Sequence, residues 1–102
     1  MMKDIYNGEF LESQNNDYLI SLLGRTNPKY HDRIVAGLPE NTKFAHKIGQ
    51  IFTDGGGQSY NDAAIVFGEK SDYILVILNE NMQVDEASKK ATDISKLVYE
   101  YF

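Results

Sequence analysis

Seven consecutive residues, Phe44-Ala45-His46-Lys47-Ile48-Gly49-Gln50, place a cation, a glycine and a following backbone N–H on one strand-like stretch. In that order they can do specific work. The Lys47 ammonium attracts an anionic substrate group. Gly49 lets a ligand approach the backbone, and the Gln50 N–H can be aimed at a developing oxyanion. Lys-X-Gly alone occurs in many unrelated chains by chance, so its weight depends on its neighbours.

The other chemistry-bearing residues read more plainly. His31 and His46 have no partner at metal-ligand spacing, and alternation puts His46 on the strand face opposite Lys47, as a packed or surface-bonded histidine. Asn61-Asp62 opens a strand and reads as a structural bond-maker rather than an acid or base. Ser13 precedes a helical pattern as its N-cap, and Ser71-Asp72 sits in turn chemistry. Gly55-Gly56-Gly57 is a flexible connection between strands, with no following helix or lysine to make a phosphate cradle. Lys89-Lys90 belongs to the solvated face of a helix.

At 102 residues the chain makes one small domain, with 42% hydrophobic and 12% aromatic residues marking it as globular. A domain of this size buries roughly 65% of its unfolded surface, enough for a core with little margin. The net charge of −5 with scattered Lys and Arg argues against a nucleic-acid partner, which needs a basic stripe. With no Cys, disulfides, thiolate catalysis and Cys-based zinc sites are excluded. The longest wholly apolar run, Tyr73 to Leu78, is too short to span a bilayer, and the first residues hold no signal-peptide core.

The elements that must position the Lys47 stretch follow from periodicity. Residues 1–12 read as a loosely attached lead-in. A helix runs from Ser13 to about Leu23, stopped by Gly24, with Tyr18, Leu19, Leu22 and Leu23 as its buried stripe. Tyr30 to Val35 is a short helical turn. Strands are expected over Thr42–Phe52, Asp62–Phe67 and Tyr73–Leu78, with Gly68-Glu69-Lys70-Ser71 as the second hairpin turn. Asp85 caps a final helix whose apolar face is Ala87, Ala91, Ile94, Val98 and Tyr101. The second and third strands are apolar on both faces, so both sides of the sheet should be covered. One terminal helix and one short helix hardly suffice. The chain should therefore oligomerise or receive a second piece of protein.

In this order and at these spacings, several segments resemble the C-terminal part of the class A β-lactamase-like serine hydrolases, relatives of the penicillin-binding proteins. They are Ile34-Val35-Ala36-Gly37-Leu38-Pro39, Ala45-His46-Lys47-Ile48-Gly49, Asn61-Asp62-Ala63-Ala64-Ile65-Val66, the strand ending Leu78-Asn79, and Ile94 to Phe102. The resemblance implies an α+β arrangement of three antiparallel strands, a C-terminal helix on one face and a short N-terminal helix. That arrangement is part of a β-lactamase/transpeptidase-like α/β fold with a separate helical lobe. It further implies acyl-enzyme chemistry that uses a Ser-X-X-Lys nucleophile, a Ser-X-Asn element and a Lys-Thr-Gly strand. By position Lys47 matches that lysine, Gly49 that glycine, and the Gln50 N–H one oxyanion donor.

The sequence departs from the pattern twice. Ile48 stands where the family has Thr or Ser, removing a hydroxyl that would bond a substrate carboxylate, a loss of about 1–3 kcal/mol. None of Ser13, Ser21, Ser59, Ser71, Ser88 and Ser95 has Lys three residues on, so Ser-X-X-Lys is absent from the chain. Ser13-Gln14-Asn15 fits Ser-X-Asn literally, but it lies 34 residues before Lys47 at a helix start. The expectation is one incomplete domain over residues 1–102, inactive alone, with no cofactor and no metal. Its expected partner is the missing helical lobe or a second copy, and a β-lactam-like small molecule binds only when the lobe is present. The alternative is a non-catalytic α+β interaction module. The family works outside the cytoplasm, and nothing in these residues fixes a compartment.

Overall fold

The computed structural model describes residues 1–9, 11–52 and 58–102. In chain order it contains α1 (Met2–Asn7), α2 (Ser13–Gly24), 3-10 turns at Pro28–Tyr30 and Val35–Gly37, β1 (Lys43–Phe52), β2 (Gln58–Phe67), β3 (Asp72–Ile77) and α3 (Val84–Tyr101). The strands make one antiparallel sheet ordered β1-β2-β3, with Lys47 opposite Ala63 and Ala64 opposite Leu75. The expected α+β architecture is therefore present. The expected Gly55-Gly56-Gly57 connection lies outside the described residues.

The middle strand carries the core. Ala64, Ile65 and Val66 are fully buried, because α1 and α2 cover one face of β2 and α3 approaches the other. Ile65 packs with Met2, Ile5 and Ala45, while Ala64 and Val66 pack with Ile34. Each fully buried Ile or Val side chain contributes about 1.5–3 kcal/mol. β2 starts at Gln58, four residues before the expected Asp62, and β3 runs one residue out of step with the expected Tyr73–Leu78.

Several readings are corrected by the structure. The opening residues are not a loose lead-in: Met2 and Ile5, one helical turn apart, are buried against the sheet. Gly8 takes φ 70° and closes that helix in the left-handed conformation, and Asn16 Nδ2 donates to the buried carbonyl of Ile5 in its last turn at 2.6 Å. A six-residue helix has almost no stability of its own, so tertiary contact makes it and local pattern does not announce it. In α2, Glu12 occupies the cap position without a side-chain bond and Ser13 is the first helical residue. The helix meets the core through Asn16, Leu19, Ile20 and Leu23, which leaves Tyr18 and Leu22 exposed.

The last correction concerns α3. Asp85 does not cap it; Gln83 holds that position, and Asp85 and Glu86 lie in the first turn, where they favour the helix dipole. Its buried line is Ala87, Ala91 and Ser95, whereas Ile94 and Tyr101 face out, 43% and 82% exposed. Small residues win this face because the backbone of residues 32–37 comes close. A Cβ on Gly37 would lie 2.8 Å from Ser95 Cβ and 2.9 Å from Lys96 N, so only glycine fits that approach.

The sheet is covered unevenly. Tyr73, Leu75 and Ile77 pack toward the Ile34 cluster, while Ile74 and Val76 on the same strand, and Leu78 just after it, stay exposed. The expectation of two covered faces holds for β2 and fails for β3, whose outer edge has no strand beside it among the described residues.

Candidate active-site wall on the first strand

β1 is the other edge of the sheet, so its outward backbone groups meet no neighbouring strand among the described residues. Alternation puts Lys47 and Gly49 on one face and Ile48 and Gln50 on the other. Lys47 is exposed, and its Nζ donates to the Ile48 carbonyl at 2.9 Å; it makes no ion pair among the described residues. A Cβ on Gly49 would meet nothing within 4 Å, so open space flanks the backbone there. Ile48 is half-buried and Gln50 is exposed.

The Gln50 side chain leads to a residue that the spacing of motifs does not reveal. Arg33 is fully buried, and its Nη2 donates to Gln50 Oε1 at 2.5 Å. The guanidinium lies 3.3 Å over the Tyr60 ring, a cation–π stack in a desolvated setting. Its Nη1 is 3.7 Å from Asp32 Oδ1, an ion-pair distance too long for a hydrogen bond. Nε and Nη1 have no hydrogen-bond acceptor among the described residues. Asp32 also accepts the Tyr60 hydroxyl, and burial together with that bond pushes the phenol pKa up, against the pull of Arg33.

Three hydroxyls of α3 hold Arg33 in place. Ser88 Oγ donates to the Asp32 carbonyl, Thr92 Oγ1 to the Arg33 carbonyl at 3.3 Å, and Ser95 Oγ to the Ile34 carbonyl at 2.6 Å. Thr92 Oγ1 is closer to the Ser88 carbonyl, at 2.9 Å, so its bond to Arg33 is the weaker one. Ser88, Thr92 and Ser95 stand at steps of four and three, one helix face. That face was the available sequence signal, hidden because hydroxyls at helical spacing usually count as solvated.

His46 and Asp62 form a second buried group behind the strand. His46 is 1% exposed and Asp62 2%, with Nδ1 to Oδ1 at 3.0 Å. Asp62 Oδ2 accepts the Ile34 N–H at 3.2 Å, and His46 Nε2 lies 2.6 Å from Thr26 Oγ1. The readings of His46 as packed and Asp62 as a bond-maker fit these contacts. The His31 ring is 5.4 Å from that of His46, and its Nε2 is 3.0 Å from the same Thr26 oxygen.

Burial, with the nearby His46, lowers the His31 pKa, while Asp62 and Thr26 oppose the shift. The sign follows from linkage. As pH falls through the unfolded value of 6.5, the unfolded chain takes a proton on His31 that the folded chain resists, so stability declines. The urea midpoint should therefore fall between pH 7 and pH 5, and His31→Gln should flatten that decline. An unchanged slope in the variant would assign the acid sensitivity to other groups.

The remaining sequence candidates are structural in position. Asn61 Oδ1 accepts the Asn79 N–H at 2.8 Å, Asp72 Oδ2 accepts the Tyr6 hydroxyl at 2.9 Å, and exposed Lys90 pairs with Glu86 at 3.2 Å. No group of three or more His, Asp or Glu side chains among the described residues could hold a metal, and no helix among them is long and apolar enough to cross a membrane. A cavity of about 730 Å³ lies between α2 and the start of β1, lined by Tyr6, Asn16, Gly24, Lys43, Phe67 and Asp72. It is not beside Lys47.

The fold around this strand, three antiparallel strands backed by a terminal helix, is also found in known proteins. Residues 1–102 match the family model described as the Beta-lactamase enzyme family. The chain belongs to that family. Among solved structures, a β-lactamase from Chitinophaga pinensis superposes with a TM-score of 0.84 at 23% identity, over 97% of this chain and 38% of its own. TLA-1 extended-spectrum β-lactamase gives 0.82 at 26% identity, over 97% and 37%. A class A β-lactamase from Bacteroides cellulosilyticus gives 0.81 at 23% identity, over 96% and 37%. No curated protein matches the chain. The three strands and the terminal helix are thus those of the β-lactamase fold, and the chain spans about 38% of the length of the solved relatives.

Proposed function

We propose that this chain is the sheet segment of a β-lactamase-like serine hydrolase, supplying one wall of an acyl-transfer site and inactive toward β-lactams by itself. The observation that carries this reading is the edge strand with exposed Lys47, open Gly49, and Gln50 tied to the buried Arg33 guanidinium. Two cations flank one strand, Lys47 in front and Arg33 behind, and both favour an anionic group on the substrate. Gly49 admits that substrate to the backbone, and the Gln50 N–H is the oxyanion donor of this wall. Ile48 brings no hydroxyl, which weakens carboxylate recognition. The nucleophilic serine and its lysine come from a segment outside these residues.

The exposed apolar surfaces support a missing partner. Ile74 and Val76 line the open side of β3 with Leu78 following it, and Ile94, Leu97 and Tyr101 recur at helical spacing on the outer face of α3. A strand and a helix from the rest of the fold would cover them. The test is reconstitution with a helical lobe that carries Ser-X-X-Lys. The chain alone gives no covalent adduct with a fluorescent penicillin, and the assembled pair hydrolyses a chromogenic cephalosporin. Lys47→Ala then lowers kcat/KM tenfold or more. A penicillin adduct on the chain alone would sink this reading.

The same open edge of β3 favours a second reading, a non-catalytic module that pairs with a copy of itself. Sedimentation separates them. A monodisperse dimer that ignores the added lobe supports the module; a chain that becomes monodisperse only with the lobe supports the hydrolase.

A further inference from the structure

The Thr26 hydroxyl lies between two imidazoles, in an arrangement that the Lys47 wall does not use. Proton bookkeeping fixes its direction. Asp62 is held by the Ile34 N–H at one oxygen, and a carboxylate only accepts, so His46 Nδ1–H donates to the other. In the neutral ring Nε2 is then the acceptor, and the Thr26 O–H donates to it at 2.6 Å. His31 Nε2–H donates to the same oxygen at 3.0 Å. Every polar atom in the line has a consistent role.

Hydroxyl to imidazole to buried carboxylate is the geometry by which acyl-transfer enzymes activate an oxygen nucleophile. Such lines also serve as structural ties, and this one does join the segment after α2 to β1. One feature points beyond a tie: Thr26 and His46 line a common cavity of about 290 Å³, together with Asn27, Tyr30, Lys47 and Ile48.

We propose that Thr26 is an acyl-accepting nucleophile for small activated esters, with His46 as its base and Asp62 as the group that orients His46. Thr26 Oγ1 attacks the ester carbonyl carbon while its proton passes to His46 Nε2. The carbonyl re-forms as the bond to the leaving alcohol oxygen breaks, and the imidazolium returns the proton to that oxygen. Water, deprotonated by the same nitrogen, then releases the acid and restores the hydroxyl. The cavity falls just under the roughly 300–1,000 Å³ range for drug-sized ligands, so acetyl-sized acyl groups fit best. The inference uses only groups of this chain and stands apart from the β-lactamase-like site.

The test is labelling of the full chain with p-nitrophenyl acetate and with a fluorophosphonate, followed by peptide mapping. The expected adduct is on Thr26. Thr26→Val lowers the labelling rate at least tenfold and His46→Gln does the same, with folding checked by circular dichroism. Thr26→Ser, which keeps the hydroxyl and removes the crowding methyl, labels at least as fast as the unaltered chain, so a folding defect cannot imitate the result. Absence of labelling, an adduct on His31 or a lysine, or labelling undiminished in Thr26→Val overturns the proposal. A fluorescent-penicillin adduct would instead overturn the hydrolase-segment reading, so the two fail separately.

Discussion

Asp62→Ala should cost several kcal/mol and leave the chain largely unfolded at room temperature. The carboxylate is buried, and both its oxygens are used: one by His46 Nδ1 at 3.0 Å, the other by the Ile34 N–H at 3.2 Å. Alanine strands two buried donors at once, and each unsatisfied donor costs about 1–3 kcal/mol. The loss also frees the segment around Ile34, whose fully buried side chain packs on Ala64 and Val66. Small domains hold about 5–15 kcal/mol in total, and the open faces of β3 and α3 place this one at the low end. Asp62→Asn is the control. It keeps the shape and one acceptor oxygen but turns an N–H₂ toward the other donor, so its loss should fall between alanine and the native chain. Urea midpoints of the three chains decide it. A loss under about 1 kcal/mol in Asp62→Ala would show that water enters and satisfies both donors.

How legible these features were in the sequence depended on how local their causes are. The strand over residues 43–52 and the hairpin that follows Phe67 were visible because alternation and turn residues are local signals. The family resemblance, carried by ordered short segments, gave the fold as well. What stayed hidden depends on contacts between distant residues. α1 forms because Met2 and Ile5 meet the sheet. The buried side of α3 is Ala87-Ala91-Ser95 because residues 32–37 press against it, although Ile94 and Tyr101 made the stronger apolar pattern. That misread stripe is informative. Ile94, Leu97 and Tyr101 form a second apolar face on the same helix, turned outward. Lys47, Gly49 and Gln50 could be named from order alone. Arg33 could not, since only the fold brings it under Gln50.

Arg33→Met should move stability and binding in opposite directions. Among the described residues the buried guanidinium makes one hydrogen bond, to Gln50, and stacks on Tyr60. Its Nε and Nη1 lack acceptors among the described residues, and the nearest carboxylate oxygen is 3.7 Å away. Desolvation of such an ion costs several kcal/mol, and this incomplete set of partners does not recover it. Replacing buried ionic groups by apolar side chains of similar volume is often neutral or stabilising by about 1–4 kcal/mol, so the urea midpoint should hold or rise. Asp32 keeps the Tyr60 hydroxyl as a donor and remains half-buried, which limits the penalty of losing its cationic neighbour. In the reconstituted hydrolase the same substitution removes a fixed positive charge behind β1 and the bond that orients Gln50. Affinity for an anionic β-lactam should then drop tenfold or more, about 1.4 kcal/mol. Binding of an uncharged ester should change little. A residue kept only for packing would lose stability on substitution and leave that discrimination intact. A strongly destabilised Arg33→Met with unchanged anion preference would therefore assign Arg33 to the core and leave Lys47 as the sole cation of the wall.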